Sequence, residues 1–297
     1  MNKPSAKPAP GAPTKGAPRA GTTGAATPKA ATPKESSADR LLAVLGIFTK
    51  EEPEWTIEEA AKRLQLSMPT AYRYFKSLAR VGLISAFSHA SYVLGPAIIE
   101  LDRQVRQSDP LLLAGRPVME DLIRYANDGS VMLLCRVFRD RVICVHQLMG
   151  PGPQGPVSYE RGRPMPLFRG ASSKIILAHL PARVLKRLFS EHGSEIKDAG
   201  LGTSWEAFKK SLAQMRRAGS CTFESEIDRG RVGIAAPIFG PEGAILGSLT
   251  FVLAVSNAHD SLLRRLIPIV KAGAHEIELG MAEAHTSAPN RRVPRRA

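Results

Sequence analysis

The sequence predicts an α+β fold in two parts: a small helical unit closed by a β-hairpin, then a larger domain with helices banked on an antiparallel sheet. Three observations carry this. Thr56 to Ser85, TIEEAAKRLQLSMPTAYRYFKSLARVGLIS, holds two helical apolar periodicities around a short break at QLS. Two sets of strand-like apolar runs, at about 129–149 and 220–254, are separated by helical stretches, which is the order of an α+β domain. The chain has 297 residues, 43% of them hydrophobic, enough for two ordinary domains with a core each.

Residues 1–36 are Ala/Pro/Lys/Gly/Thr-rich and hold no aliphatic side chain larger than alanine after Met1. Such a segment cannot offset the entropy of ordering, so it is expected to be a disordered basic tail, and 284–297, with RRVPRR, a second one. The formal charge of +14 suggests a polyanionic partner, but the tails supply most of it and leave only about +5 for the middle. Bulk charge alone is therefore weak support for DNA binding. Three cysteines without Cys-x-x-Cys or Cys/His ligand spacing suit a reducing compartment and imply no disulfide framework, structural metal or cofactor. There is no signal-peptide pattern and no apolar run of membrane-spanning length, so a cytoplasmic protein with no membrane partner is expected.

From Ser37, SADRLLAVLGIF sets Leu41, Leu42, Val44, Leu45 and Phe48 on a helical stripe behind a Ser/Asp start signal. A second helix is expected from about Ile57 to Leu64, with Ala60, Ala61 and Leu64 inward. A third follows Ser67, an N-cap residue, with Pro69 in the first turn where its missing N–H costs nothing. Ala71, Phe75 and Leu78 form its buried face, and Gly82 ends it. LISAF and SYVLG then read as a hairpin. Three helices, a short turn between the last two and a hairpin after them describe a winged helix-turn-helix over 37–96. From Ala60 to Ala97 the charged residues are Lys62, Arg63, Arg73, Lys76 and Arg80, with no acid among them. Unpaired cations of this kind suit phosphate contacts. Ser67, Met68, Thr70, Tyr72, Arg73, Lys76, Ser77 and Arg80 are accordingly the candidate DNA-binding residues, with Thr70, Tyr72 and Arg73 placed to reach base edges. The plainer alternative is a solvated face of a small helical domain.

AIIELDRQVRQS, 97–108, reads as a connecting helix with Ile98, Leu101 and Val105 on one side, a stripe that serves core packing as readily as a dimer contact. The second domain is expected over 109–283. It holds a helix in PVMEDLIRYAND, strands in GSVMLLCRV and RVICVHQLM around an FRD turn, and helices in GASSKIILAHL, PARVLKRLFSEH and SWEAFKKSLAQMRRAG. Strands follow in SCTFESEI, RVGIAAPIF and AILGSLTFVLAV, then a long helix from about His259 to Met281. The last two strands alternate, so one face can line a cavity.

The order of these elements resembles the isocitrate lyase regulator (IclR) family of bacterial transcription regulators: winged helix-turn-helix, linker helix and a GAF-like ligand-sensing domain, over about Ser37 to Met281. LSMPTAYRYFKSLARVGLIS resembles the family's recognition helix, with Thr70, Arg73, Leu78 and Gly82 on matching positions, and YVLGP the end of its wing. RPMPLFRGASSKIILAHLP keeps Pro166, Leu167 and Lys174, and FESEIDRGRVGIAAPIFGPEGAILGSL keeps Glu226, Gly230, Ile234, Ala235, Ala236, Pro237 and Gly243. The resemblance implies a regulator that binds double-stranded operator DNA as a dimer or tetramer. It also implies an effector pocket at Phe168, Ala171, Ser172, Gly233, Thr250 and Val252. The family often has His at Phe168 and Gly at Ser173, and small polar residues at Thr250 and Val252. Only Thr250 keeps a hydroxyl, which favours a more apolar or aromatic organic acid, or no strong ligand. A helix N-terminus beside a concave sheet is suited to an anion.

An enzyme is not expected: there is no Gly-x-Ser-x-Gly elbow, His-Glu-x-x-His pair or Walker loop. His146 reads as a core or pocket-polar histidine against a ligand or base. Cys135 and Cys144 read as small buried hydrophobes against a thiol sensor. Glu224, Glu226 and Asp228 alternate as if on one strand, either paired carboxylates or a solvent-facing edge. Three functions stay in view: an effector-modulated regulator, a constitutive DNA-binding repressor with a vestigial pocket, and an enzyme carrying a DNA module.

Overall fold

The computed structural model describes residues 36–88, 90–153 and 157–287. The 1–36 tail, apart from Ser36, and the end of the 284–297 tail lie outside the described residues. Tertiary contacts divide the chain into two units meeting at Pro96 and Ala97.

The first unit comprises α1 (Ser37–Ala43), a 3-10 turn (Val44–Ile47), β1 (Trp55–Thr56), α2 (Ile57–Arg63), α3 (Met68–Arg80), β2 (Ile84–Ala86) and β3 (Ser91–Leu94). Reciprocal side-chain caps start α1 and α2: Ser36 with Asp39, and Thr56 with Glu59. The break between α2 and α3 turns through Gln65, which takes a left-handed φ of 54°. Gly82 ends α3 with φ 73°, where an L side chain would be strained. The hairpin β2–β3 is joined by β1 into a three-stranded antiparallel sheet, order β1-β3-β2. Val44, Trp55, Ala60, Tyr74, Phe75, Leu78 and Ile84 form the core, with the Phe75 ring edge-on to Tyr92 at 5.1 Å. The expected stripe in α1 is only partly inward, because the chain tightens at Val44 and leaves Leu42 55% exposed.

The second unit holds α4 (Ala97–Ser108), α5 (Pro110–Leu122), β4 (Val131–Phe138), β5 (Arg141–Met149), β6 (Pro164–Met165), α6 (Ala171–Ala178), α7 (Ala182–Glu191), α8 (Gly193–Asp198), α9 (Trp205–Ala218), β7 (Cys221–Glu224), β8 (Arg231–Phe239), β9 (Ile245–Ala254) and α10 (Asp260–Ser287). The strands form an antiparallel sheet in the order β6-β5-β4-β9-β8-β7. Two apolar cores flank it. Leu133, Cys135, Ala235 and Val252 pack under α6 to α9, and Met132, Leu134, Ile234, Leu249 and Phe251 pack under α5 and α10. The fold is thus the α+β architecture that the sequence predicts.

The structure corrects several details. α5 begins at Pro110, seven residues before the expected helix, because the Asp109 carboxylate accepts hydrogen bonds from the N–H groups of Leu111 and Leu112. α8 was not anticipated. α10 runs on to Ser287, so 284–287 are helical and not part of a tail. The alternation expected of the last hairpin is masked in β9, where Gly247 to Leu253 are all buried because both sheet faces are covered.

Candidate functional site

Two sites were anticipated, one in each unit. In α3, Ala71, Tyr74, Phe75 and Leu78 are buried, and the opposite side presents Tyr72 (59% exposed), Arg73, Lys76 and Arg80. Met68 and Ser67 are exposed at its start, and Thr70 and Ser77 are half-buried. Ser67 sits at the N-cap by its backbone, but its hydroxyl meets the Thr70 hydroxyl at 2.9 Å, so no side chain caps a backbone N–H. Among the described residues, Lys62, Arg63, Arg73, Lys76 and Arg80 form no salt bridge, although the charge of Lys62 is felt by Glu59. The nearby Glu59 is engaged in its cap, whose hydrogen bonds with Thr56 hold its pKa below the usual carboxylate range. An exposed cationic helix with a free aromatic ring and hydroxyls at its start is chemically fitted to phosphates and base edges. The sequence reading missed Phe87, 70% exposed just past β2, which packing does not explain.

In the second unit, the N-terminus of α6 lies against β8 and β9. Gly170, at φ 81°, turns the chain into the helix, and its N–H donates to the Glu226 carboxylate at 2.8 Å. A Cβ on Gly233 would stand 3.1 Å from that of Ala171, so helix and strand touch here. Ala171, Gly233 and Val252 line a common cavity with Tyr159, Phe223 and Arg231, but its volume is only about 10 Å³, room for roughly one water. Ser172 and Thr250 also converge, and they satisfy each other: their buried hydroxyls lie 2.9 Å apart, and the Ser248 hydroxyl donates to the Ser172 carbonyl at 3.1 Å. Phe168 does not join this group. It is buried beside His192, 5.5 Å between ring centroids, in the wall of a separate cavity.

The acidic stretch after β7 differs from both readings of it. The strand stops at Glu224, Ser225 turns through φ 55°, and Glu226 folds back into the domain instead of continuing an edge. It forms an ion pair with Lys174, a lysine 1% exposed, whose Nζ also donates to the Ala199 carbonyl at 2.9 Å and lies 4.0 Å from the Phe223 ring centroid. Asp228 accepts from the Ser158 N–H at 2.9 Å. Burial first, then the Asp228 charge, raises the Tyr159 phenol above its usual range, so it stays a donor at neutral pH.

Cys135 and Cys144 are opposed on β4 and β5 and both are buried, the packing role rather than that of an accessible thiol. The hydrogen bond with Cys144 and burial raise the Cys135 thiol well above its usual range. His146 is half-buried, and burial lowers its pKa. Among the described residues no cluster of three or more His, Cys, Asp or Glu could hold a metal ion. None of their helices is long and apolar enough to cross a membrane.

A three-helix unit with a wing and a third helix whose cations form no salt bridge, followed by an antiparallel sheet domain with helices on both faces, defines the class of two-domain DNA-binding transcriptional regulators. Comparison with known proteins gives its family. Residues 37–86 match the IclR helix-turn-helix domain and 104–279 match the bacterial transcriptional regulator IclR C-terminal domain, so the chain belongs to the IclR family. It is 24% identical over 239 residues to the HTH-type transcriptional regulator KipR of Bacillus subtilis (strain 168), covering 80% of this chain and 93% of that one. The fold is similar to an IclR transcriptional regulator from Alicyclobacillus acidocaldarius, with TM-score 0.66, 21% identity and coverage of 82% and 98%. An IclR homologue from Microbacterium hydrocarbonoxydans, solved with 4-hydroxybenzoate, is similar at TM-score 0.64 and 22% identity over 84% of this chain and 100% of that one. The chain is a transcriptional regulator of the IclR type.

Proposed function

We propose that this regulator binds operator DNA as a homodimer, or a tetramer of two such dimers, with α3 in the major groove, and that a small organic acid shifts its affinity. The observation that carries the DNA reading is the α3 face: Tyr72, Arg73, Lys76 and Arg80 are exposed together, with no carboxylate paired to the three cations among the described residues. Thr70 and Arg73 read base edges, Lys76 and Arg80 hold phosphates, and Ser67, Met68, Tyr72 and Ser77 border the contact. Self-association is supported by α4, whose Leu101 and Val105, four residues apart on one side of the helix, are 50% and 47% exposed beside the half-buried Ile98, an apolar stripe that a second copy would cover. Such a protein works in the cytoplasm, beside the DNA.

The effector would sit at the N-terminus of α6 against Gly233, Thr250 and Val252. The apolar Val252 suits an aromatic acid, and the fold-similar homologue holding 4-hydroxybenzoate supports that class. Binding would shift the population between dimer geometries by the ligand's differential affinity for them.

A second reading, constitutive DNA binding with a vestigial pocket, is favoured by the Ser172–Thr250 pair and the 10 Å³ cavity, which leave little to bind. Selection of duplexes from a random library by the full chain, with and without 4-hydroxybenzoate, tests both. A palindromic site with half-sites about one helical turn apart, released by the acid, is the expected result. Enrichment indifferent to a panel of organic acids supports the constitutive reading, and no enrichment contradicts both.

A further inference from the structure

The larger space in the second unit lies at the other edge of the sheet, where the β4–β5 turn, β6 and the α7–α8 junction enclose about 560 Å³. Its size falls in the range of small-molecule sites, roughly 300 to 1,000 Å³. Of the residues expected at the effector pocket only Phe168 lines it, and no residue of the DNA-binding face does. We propose that this cavity is a second ligand site, for a small organic anion with an apolar or aromatic body.

The wall chemistry sets the ligand class. Ile143, Leu167, Phe168 and Leu188 supply an apolar lining, the last three 5% exposed or less. Arg139, Arg141 and His192 supply the basic groups, and Asp140 and Glu195 the acids. Both acids already have partners: Asp140 pairs with Arg187 at 2.6 Å, and Glu195 with His192 at 2.8 Å. Among the described residues Arg139 and Arg141 have no carboxylate partner. The wall therefore carries two uncompensated guanidinium groups beside an apolar floor, complementary to a carboxylate on a ring-sized body.

A second observation comes from the backbone. Arg139 holds φ 54° in the two-residue turn between Phe138 and Arg141, a conformation that glycine or asparagine takes at lower cost. Its guanidinium lies over the Phe138 ring, 5.4 Å from the centroid. No salt bridge of Arg139 repays the strained turn among the described residues, whereas an anion in the cavity would.

The test uses the full chain and 4-bromobenzoate. A crystal soaked with it should show bromine anomalous density between Phe168 and the Arg139–Arg141 turn. Titration calorimetry should show binding at least tenfold tighter than to neutral 4-bromobenzamide, and at least tenfold weaker in the Arg139→Ala/Arg141→Ala variant, whose changed residues are exposed. Arg139→Gly, which suits the turn, should raise the Tm and weaken binding together, a combination that general damage cannot produce. In the Thr250→Val variant, binding in this cavity should be unchanged, which separates it from an effector at α6. Bromine density only at α6, no preference over the amide, affinity unaffected by losing both arginines, or no binding in solution would each overturn the proposal.

Discussion

Lys174 and Glu226 form an ion pair inside the C-terminal domain, 52 residues apart in sequence, and the second Glu226 oxygen accepts the Gly170 N–H at the start of α6. One carboxylate therefore ties the segment after β7 to the helix that the effector would touch. The lysine is 1% exposed and the glutamate side chain 23%, so the pair is half sheltered, and its remaining donors are met by Ala199 and the Phe223 ring. Removing one partner should cost much more than removing both, because the survivor is a buried charge.

Glu226→Gln should accordingly destabilise the protein by about 3 kcal/mol, near the lower end for breaking a buried pair. The Lys174→Met/Glu226→Gln double variant should recover part of that loss. Urea unfolding of wild type, Glu226→Gln and the double variant checks it, and a double variant no more stable than Glu226→Gln would refute the coupling.

Thr250→Val tests the α6 site, and its effect includes a stability cost. The buried Ser172 hydroxyl would lose its Thr250 partner and keep only the Cys135 thiol, a weak one, at a cost of about 1 to 3 kcal/mol. Ser172→Ala/Thr250→Val removes both hydroxyls and should be closer to wild type in Tm. Only the effector response, not the apo-protein's DNA affinity, should fall in the double variant; equal loss of both would point to misfolding.

On DNA, Arg73→Ala should weaken specific binding by about 1 to 3 kcal/mol with relaxed preference at one base pair. Lys76→Ala should weaken all sequences alike and lower the slope of log affinity against log salt by about one phosphate contact. Fluorescence anisotropy over a salt series distinguishes them, and unchanged affinity in both would remove α3 from the interface.

Stability should also depend on pH through the histidines. Burial lowers the pKa of His179, outweighing the Ile175 carbonyl at its ring, and burial with Arg116 and Arg161 lowers that of His146. With a folded pKa below the unfolded 6.5, each group binds more protons when unfolded. Their contribution is complete above about pH 6.5 and is lost as pH falls through the folded pKa values. The Tm should thus fall between pH 7 and pH 5, and His179→Gln should flatten that fall; an unchanged profile would remove His179 as a cause.

Legibility followed the local signals. α3 begins and ends where Ser67, Pro69 and Gly82 say, because capping and φ constraints act within a few residues. α8 was invisible because it follows α7 after a single residue and starts at Gly193, with no break in composition. The segment from Glu224 to Asp228 alternates like a strand, yet Ser225 at φ 55° breaks it, its N–H bonded to the Arg231 carbonyl, and Glu226 beyond the turn pairs with Lys174, 52 residues earlier in the chain. The mutual capping of Ser172 and Thr250, and the separation of Phe168 from them, likewise depend on packing between distant elements, which no periodicity records.

The central claim is that the exposed side of α3 enters a major groove. Dimethyl sulfate probing of guanine N7 on the selected duplex reads that groove atom directly. Wild type should protect guanines in two symmetric half-sites, and Arg73→Ala at saturating concentration should lose protection at one guanine in each half-site while the other guanines stay protected. Full reactivity of every guanine N7 under saturating wild-type protein would contradict it.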